Sequence, residues 1–264
     1  MSFTPVVPLG GLVGFALLSR TLDRQTELFN AAPALRRDTD HFEQSIAGVQ
    51  TAADLVSDRR LLRVALGAFG LQDDIDSRAF VRAILEQGTE DEKALANRLS
   101  DDRYRRFADA FGFAAPDGPR TGEAGFAAQI IEQFRRREFE SAVGEQDTAL
   151  RLALNADREL SAFGSDAESD NALWFRILGT PPLRSVFETA LGLPTSFAQI
   201  DIDRQLDELR TRAARQLNIT SPRDLVDNDL REALLRQFLL RDQISSTAVL
   251  SSQAIALSLL QAGR

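Results

Sequence analysis

Asp58-Arg59-Arg60-Leu61-Leu62-Arg63-Val64-Ala65-Leu66-Gly67-Ala68-Phe69-Gly70 reads as one complete helix with both of its ends. Asp58 can accept the free N–H groups of a first turn. Leu62, Leu66 and Phe69 recur at three- and four-residue steps and share one stripe. Gly70 can take the left-handed conformation in which helices commonly end.

The same punctuation extends in both directions. Upstream, Phe15, Leu18, Leu22 and Phe29 share one face of a helix that Pro33 ends, and Phe42, Ile46 and Val49 mark another. Downstream, Phe80, Val81, Ile84 and Leu85 run to Gly88, and Thr89 with Glu92 has capping-box spacing before Leu95 and Leu99. Asp101 opens the stripe of Tyr104, Phe107, Ala108 and Phe111, which stops at Gly112. From Gly122 to Phe163 there is no Pro, and apolar residues keep helical spacing, so the run reads as one long helix of about 60 Å that Gly144 could divide. Thr180-Pro181-Pro182 opens a helix ending at Gly192, Ser221 with Asp224 caps a short one, and Asp227 or Asp229 opens a final helix through Leu234, Leu235, Phe238 and Leu239. Sustained strand alternation is absent. The expected fold is all-α, a multi-helix bundle of about ten helices with one long central helix and a long C-terminal helix.

Pro116-Asp117-Gly118-Pro119 has the composition of a linker, which predicts an N-terminal lobe of residues 1–115 and a C-terminal lobe of 120–264, unless the chain is one continuous domain. Three segments, Leu61 to Leu71, Leu150 to Gly164 and Leu183 to Leu193, echo one another with Leu-Arg ahead of Ala-Leu or Ala-Phe. Their unequal spacing excludes a regular solenoid.

Composition argues against chemistry. The chain has 264 residues and a net charge of -8, with no Cys, one His, one Tyr, one Trp and a single Lys, Lys93. An acidic protein is poorly matched to nucleic acid or an anionic membrane. The basic runs Arg59-Arg60, Arg103 to Arg106 and Arg135 to Arg137 have acids beside them and read as solvated helix faces. His41 has no second His and no nucleophile to orient. The acids Asp73, Asp74, Asp76 and Asp166, Glu168, Asp170 lack the Gly and bidentate Glu of a calcium loop. Pro8 to Gly14 is glycine-rich, yet it lacks the preceding strand and following Lys of a phosphate loop. No catalytic residue, cofactor or metal is expected, and seventeen Phe against one Tyr and one Trp describe a core more than a ligand site.

The ends differ from the middle. Met1 to Ser19 and Gln243 to Gly263 carry no charged side chain. The first lacks the basic region of a secretory signal. The second has five Ser, one Thr and three Gln, a heavy polar load for a membrane span. In the tail Leu250, Ala254 and Leu257 fall on one stripe and Ala248, Ile255 and Leu259 near another, so neighbours are expected to bury it. Phe15, Leu18, Leu22, Leu250, Ile255 and Leu257 are the expected partner-contact residues.

The residues from Asp58 to Leu71, Ala79 to Glu86, Leu95 to Leu99 and Asp102 to Phe113 together resemble the repeated unit of a bacterial family of unknown function, numbered twelve-seventeen. Ala149 to Leu154 and Val186 to Pro194 resemble it too, so the likeness covers roughly residues 50 to 200. Members occur mainly in alphaproteobacteria, often beside flagellar genes, and the resemblance implies a flagellum-related role without a catalytic residue. Ser245 to Gln261 is similar to the terminal helices of flagellar axial proteins, which are rich in Ala, Ser, Leu and Gln. The expectation is a non-enzymatic structural or assembly protein with protein partners, flagellar components or itself. It would act in the cytoplasm or, exported without a classical signal peptide, in the flagellum. The rival expectation is a cytoplasmic adaptor or chaperone-like module whose uncharged ends pack on its own body.

Overall fold

The structure, a computed structural model, describes residues 3–164 and 168–262, with side chains through residue 247 apart from Thr195. Among the described residues it holds thirteen α-helices, six 3₁₀ turns and no β-strand. The all-α bundle is therefore observed. The extra helices are short ones, such as Ala52–Ser57 and Leu95–Arg98, and one product of a division described below.

Contacts group the chain into two compact units, one of Met1–Val6 with Thr21–Val143 and the other of Val7–Arg20 with Gly144–Arg264. The first helix, α1 (Gly11–Asn30), contributes to both. The first unit adds α2 (Pro33–Ser45), α3 (Ala52–Ser57), α4 (Arg59–Phe69), α5 (Arg78–Gln87), α6 (Leu95–Arg98), α7 (Asp102–Phe111) and α8 (Phe126–Gly144).

Helix α4 is the hub of the first unit. Asp58 Oδ1 accepts the N–H groups of Arg60 and Leu61 at 2.8 and 3.1 Å, and Gly70 ends the helix at φ 73°. The helix packs on α2, α3 and α7. Leu62, Val64, Ala65 and Leu66 are wholly buried, so the covered surface is wider than the stripe that the spacing predicts. A Cβ at Gly67 would stand 2.6 Å from the ring of Phe134 on α8, so the absence of a side chain at 67 is what lets that ring in. Edge-to-face rings continue the core from Phe69 to Phe107, Phe107 to Phe111 and Phe111 to Phe126, with centroids 5.1–5.4 Å apart.

Asp58 also meets His41, with Nε2 to Oδ2 at 2.7 Å. Burial pushes the Asp58 carboxyl up, but the His41 bond and the two backbone N–H groups outweigh it and hold the group below its ordinary value. A lowered folded-state pKa contributes stability that is present above the unfolded value of 3.8 and lost as pH falls through the folded one. We therefore expect Asp58→Ala to cost about 1–2 kcal/mol at neutral pH, the usual loss for an N-cap. In denaturant titrations the gap to wild type should narrow as the pH drops below 3.8. A gap that widens in acid would contradict this.

Two expectations for this unit are corrected. The Pro116–Pro119 segment does not separate lobes, because Thr121 Oγ1 donates to Val49 O at 2.7 Å in a buried bond and Phe126 packs edge-to-face on Phe111. The division falls at Gly144 instead of between 115 and 120. Thr89 and Glu92 form no capping box; the Leu95 N–H bonds to Gln87 Oε1, and Asn97 Nδ2 donates to the Thr89 and Asp91 carbonyls. The basic runs differ too. Arg103 is half-buried, grips Asp101 through two nitrogens and donates to Gly70 O, and Arg135 donates to Thr39 Oγ1 at 3.0 Å. These arginines tie elements together, whereas Arg59, Arg60, Arg105 and Arg136 are exposed.

The expected long central helix is two. Helix α8 stops at Gly144, and α9 (Thr148–Ser161) starts afresh behind Asp147, whose extended backbone breaks the helix while Oδ1 accepts the Leu150 N–H at 3.0 Å. A Cβ at Gly144 would collide with the Arg151 side chain.

The second unit continues with α10 (Asp170–Gly179), α11 (Pro181–Leu191), α12 (Ile202–Leu217) and α13 (Asn228–Ala262). Helices α9, α11 and the start of α13 pack mutually around Leu150, Leu160, Val186, Phe187, Leu234 and Phe238, all buried, and Trp174 stands edge-on to Phe187. The echo between Leu61–Leu71 and Leu183–Leu193 has a structural counterpart. Gly70 and Gly192 both end their helices with positive φ, and Leu71 and Leu193 send N–H groups back to Leu66 and Glu188. Arginines cover both turns: Arg103 and Arg137 at Gly70, Arg212 and Arg241 at Gly192.

Candidate interaction surface

The glycine-rich start belongs to the opening of α1. Gly11 has φ 61°, and a Cβ there would stand 3.0 Å from Gln243 Oε1; at Gly10 it would stand 2.7 Å from Asp147 Oδ2. The positive φ at Gly11 favours glycine where α1 begins beside α13 and the start of α9. Burial, and then the charge of Asp147, push the Asp242 carboxyl above its ordinary range. In the first unit the side-chain amide of Gln25, itself buried, holds Val6 by both backbone groups, with Nε2 to O at 3.3 Å and N–H to Oε1 at 2.7 Å.

The faces of α1 are unlike. Leu18 is 1% exposed and Phe15 and Leu22 are half-buried, so the predicted contact face is the covered one. That is a correction: aromatic and bulky residues on a helix next to a protein body fill its core. Val13, at 65% exposure, and Leu17 lie on the opposite face. Arg20 and Arg24 share that face by spacing, which is the sequence signal that it meets solvent.

Helix α13 changes character along its length. Leu234, Leu235, Phe238 and Leu239 are buried, but Gln243, Ile244, Ser245, Ser246 and Thr247 are exposed one after another, Ile244 at 69%. Gln243 Oε1 still rests against Gly11, but five consecutive exposed residues exceed one turn, so much of the helix surface there is open. Its backbone stays helical to Ala262. The side chains of Leu250, Ile255 and Leu257 lie outside the described residues.

Other candidates resolve into structure. Asp74 accepts the Tyr104 hydroxyl at 2.6 Å; burial, then this bond, push the phenol above its usual range. Asp76 pairs with Arg59, Asp170 takes Arg223, and Asp166 lies outside the described residues. Among the described residues no group of three or more His, Asp or Glu is placed to hold a metal ion. No described helix is long and apolar enough to cross a membrane. An open cleft of about 410 Å³ in the second unit is lined by Phe197, Arg204, Asp207, Glu208 and Arg212, of which Arg212 is held by Glu208 and the Leu191 and Gly192 carbonyls.

Comparison with known proteins gives few likenesses. A search of curated proteins finds no match. Among solved structures, the crystal structure of Protein AGR_C_984 from Agrobacterium tumefaciens is similar, with a TM-score of 0.73 and 25% sequence identity over 92% of this chain and 99% of that one. The family model described as "Protein of unknown function (DUF1217)" matches residues 68–229, well over half of the chain. The helical echo from Leu61 onward, the all-α architecture and this match agree: the chain belongs to the DUF1217 family.

Proposed function

We propose that the protein is a non-enzymatic structural or assembly component that works through helix-to-helix contacts, in the setting of the bacterial flagellum. The observation that supports it is the uncharged run of α13, which emerges from its unit with residues 243–247 exposed in succession and stays helical to Ala262. An isolated helix gains little stability from propensity alone and usually needs packing against an apolar face. The flagellar setting rests on the likeness of residues 50 to 200 and of the tail.

A cytoplasmic adaptor is the second reading, favoured by the buried Leu18 and half-buried Phe15, which pack the uncharged start of the chain into the protein's own fold. Fractionating wild-type and export-deficient cells separates the two. The first reading expects the protein among exported flagellar material in wild type alone, with altered flagella when the gene is deleted. Confinement to the cytosol of both strains, with unchanged flagella, would leave the adaptor.

A further inference from the structure

The second unit carries two uncovered apolar features side by side. Leu9 and Val13, 55% and 65% exposed, lie at the start of α1, and Leu240 and Ile244, 43% and 69% exposed, lie where α13 leaves the fold; Gly11 against Gln243 joins them. Leu9 and Val13 fall within the chain's first uncharged stretch, and Ile244 within its second. Neither feature covers the other: Leu9, Val13 and Ile244 each keep more than half of their surface open although Gln243 meets Gly11 between them. The tail cannot fold back either, since α13 is continuous from Asn228 to Ala262.

We infer that this end is where two copies of the chain join, the terminal helix of each lying on the exposed Leu9 and Val13 patch of the other. The inference rests on the reading of the uncharged end as a contact surface and names its occupant. Charge selects that occupant. A chain of net charge -8 repels its own copies over most of its surface, so they approach most readily where charged side chains are fewest, although Asp147 and Asp242 border this patch. A basic partner would be drawn to the acidic body and would gain little at an apolar patch. The chain itself supplies the complementary element: residues 243–262, a helix of about 30 Å with no charged side chain. Reciprocal exchange gives a closed two-fold dimer, the commonest symmetry of soluble assemblies. Because the contact is apolar and the opposing force is like-charge repulsion, added salt should tighten it.

The test uses the full chain, Val13→Asp, and the chain ended after Arg241, with solution mass read by sedimentation as concentration and salt are raised. Wild type should shift from monomer to dimer. Val13→Asp loses the patch but keeps the tail, and the shortened chain loses the tail but keeps the patch. Each alone should self-associate at least tenfold more weakly, yet the two mixed should form a one-to-one complex through the single contact that remains. Val13 is exposed, so at dilutions where wild type is monomeric the substitution should leave helix content and melting unchanged, and Ile244→Asp provides a second variant at the root of the tail. A wild type that stays monomeric would overturn the inference, as would a shortened chain that dimerises normally or a mixture that stays monomeric. A monomeric wild type with a flagellar phenotype on deletion would remove the dimer alone and leave the proposed function standing.

Discussion

Replacing Phe134 by Ala should destabilise the first unit by about 3–5 kcal/mol, the range for emptying a buried aromatic site. Phe134 is completely buried, and its ring occupies the space where Gly67 has no side chain. Gly67→Ala should also destabilise, by roughly 1–3 kcal/mol, because a methyl 2.6 Å from a confined ring forces either the ring or α4 to move. That sign is unusual, since an Ala inside a helix is ordinarily worth about 1 kcal/mol more than a Gly. The pair should therefore be strongly non-additive. In the Phe134→Ala background the obstruction is gone, and Gly67→Ala should become neutral or stabilising. Denaturant titration of the four proteins reads the cycle directly; equal costs of Gly67→Ala in both backgrounds would show that the ring does not set the requirement for glycine.

The second large effect belongs to Arg231. The residue is 8% exposed, and its nitrogens donate to the Leu225 and Val226 carbonyls at 2.9 and 3.0 Å, to Asp157 Oδ1 at 2.6 Å and to Asn228 Oδ1 at 2.8 Å. Truncation to Ala strands these acceptors, and at about 1–3 kcal/mol for each buried one the loss should be roughly 3 kcal/mol. Arg231→Lys keeps the charge but should recover less than half of the loss, because one ammonium cannot reproduce the planar fork that reaches all four partners. A Lys variant as stable as wild type would mean that charge, and not geometry, is what the site uses. Arg223 plays the same part nearby, bonding to Phe163 O and Asp170 while donating also to Glu168 O. A chain with a single Lys thus has a physical use for its arginines: they satisfy loop carbonyls that the helices leave open.

The helices were legible because caps, stripes and glycine stops agree locally. Asp58, Asp101, Ser221 and Asp227 bond to the N–H groups that their spacing predicts, and Gly70, Gly112 and Gly192 end their helices with positive φ. The unit boundary was not legible, because Pro and Gly mark a turn without saying whether the turn is tied down, and Thr121 ties this one to Val49. The division of 122–163 was legible only as a glycine at 144 that could break the run, where α8 does end; the restart depends on an Asp at 147 that looks like any other polar helix residue. On α1 the larger side chains, Phe15, Leu18 and Leu22, drew the reading to the covered face, whereas Arg20 and Arg24 are the signal that marks the face of Val13 and Leu17 as the exposed one. Long-range arginine bonds leave no local pattern, so Arg103 reads as surface charge and nothing in the sequence singles out Arg231. The uncharged tail, by contrast, stood out by composition alone.

On the proposed reading, the tail serves association and not the core. The most direct measurement is the urea unfolding midpoint of the full chain and of the chain ended after Arg241, each followed as protein concentration rises. Association stabilises the folded state by mass action. The midpoint of the full chain should climb with concentration, that of the shortened chain should stay flat and cooperative, and the two should coincide at high dilution. A shortened chain that unfolds at lower urea at every concentration would place the tail in the protein's own core and contradict the account.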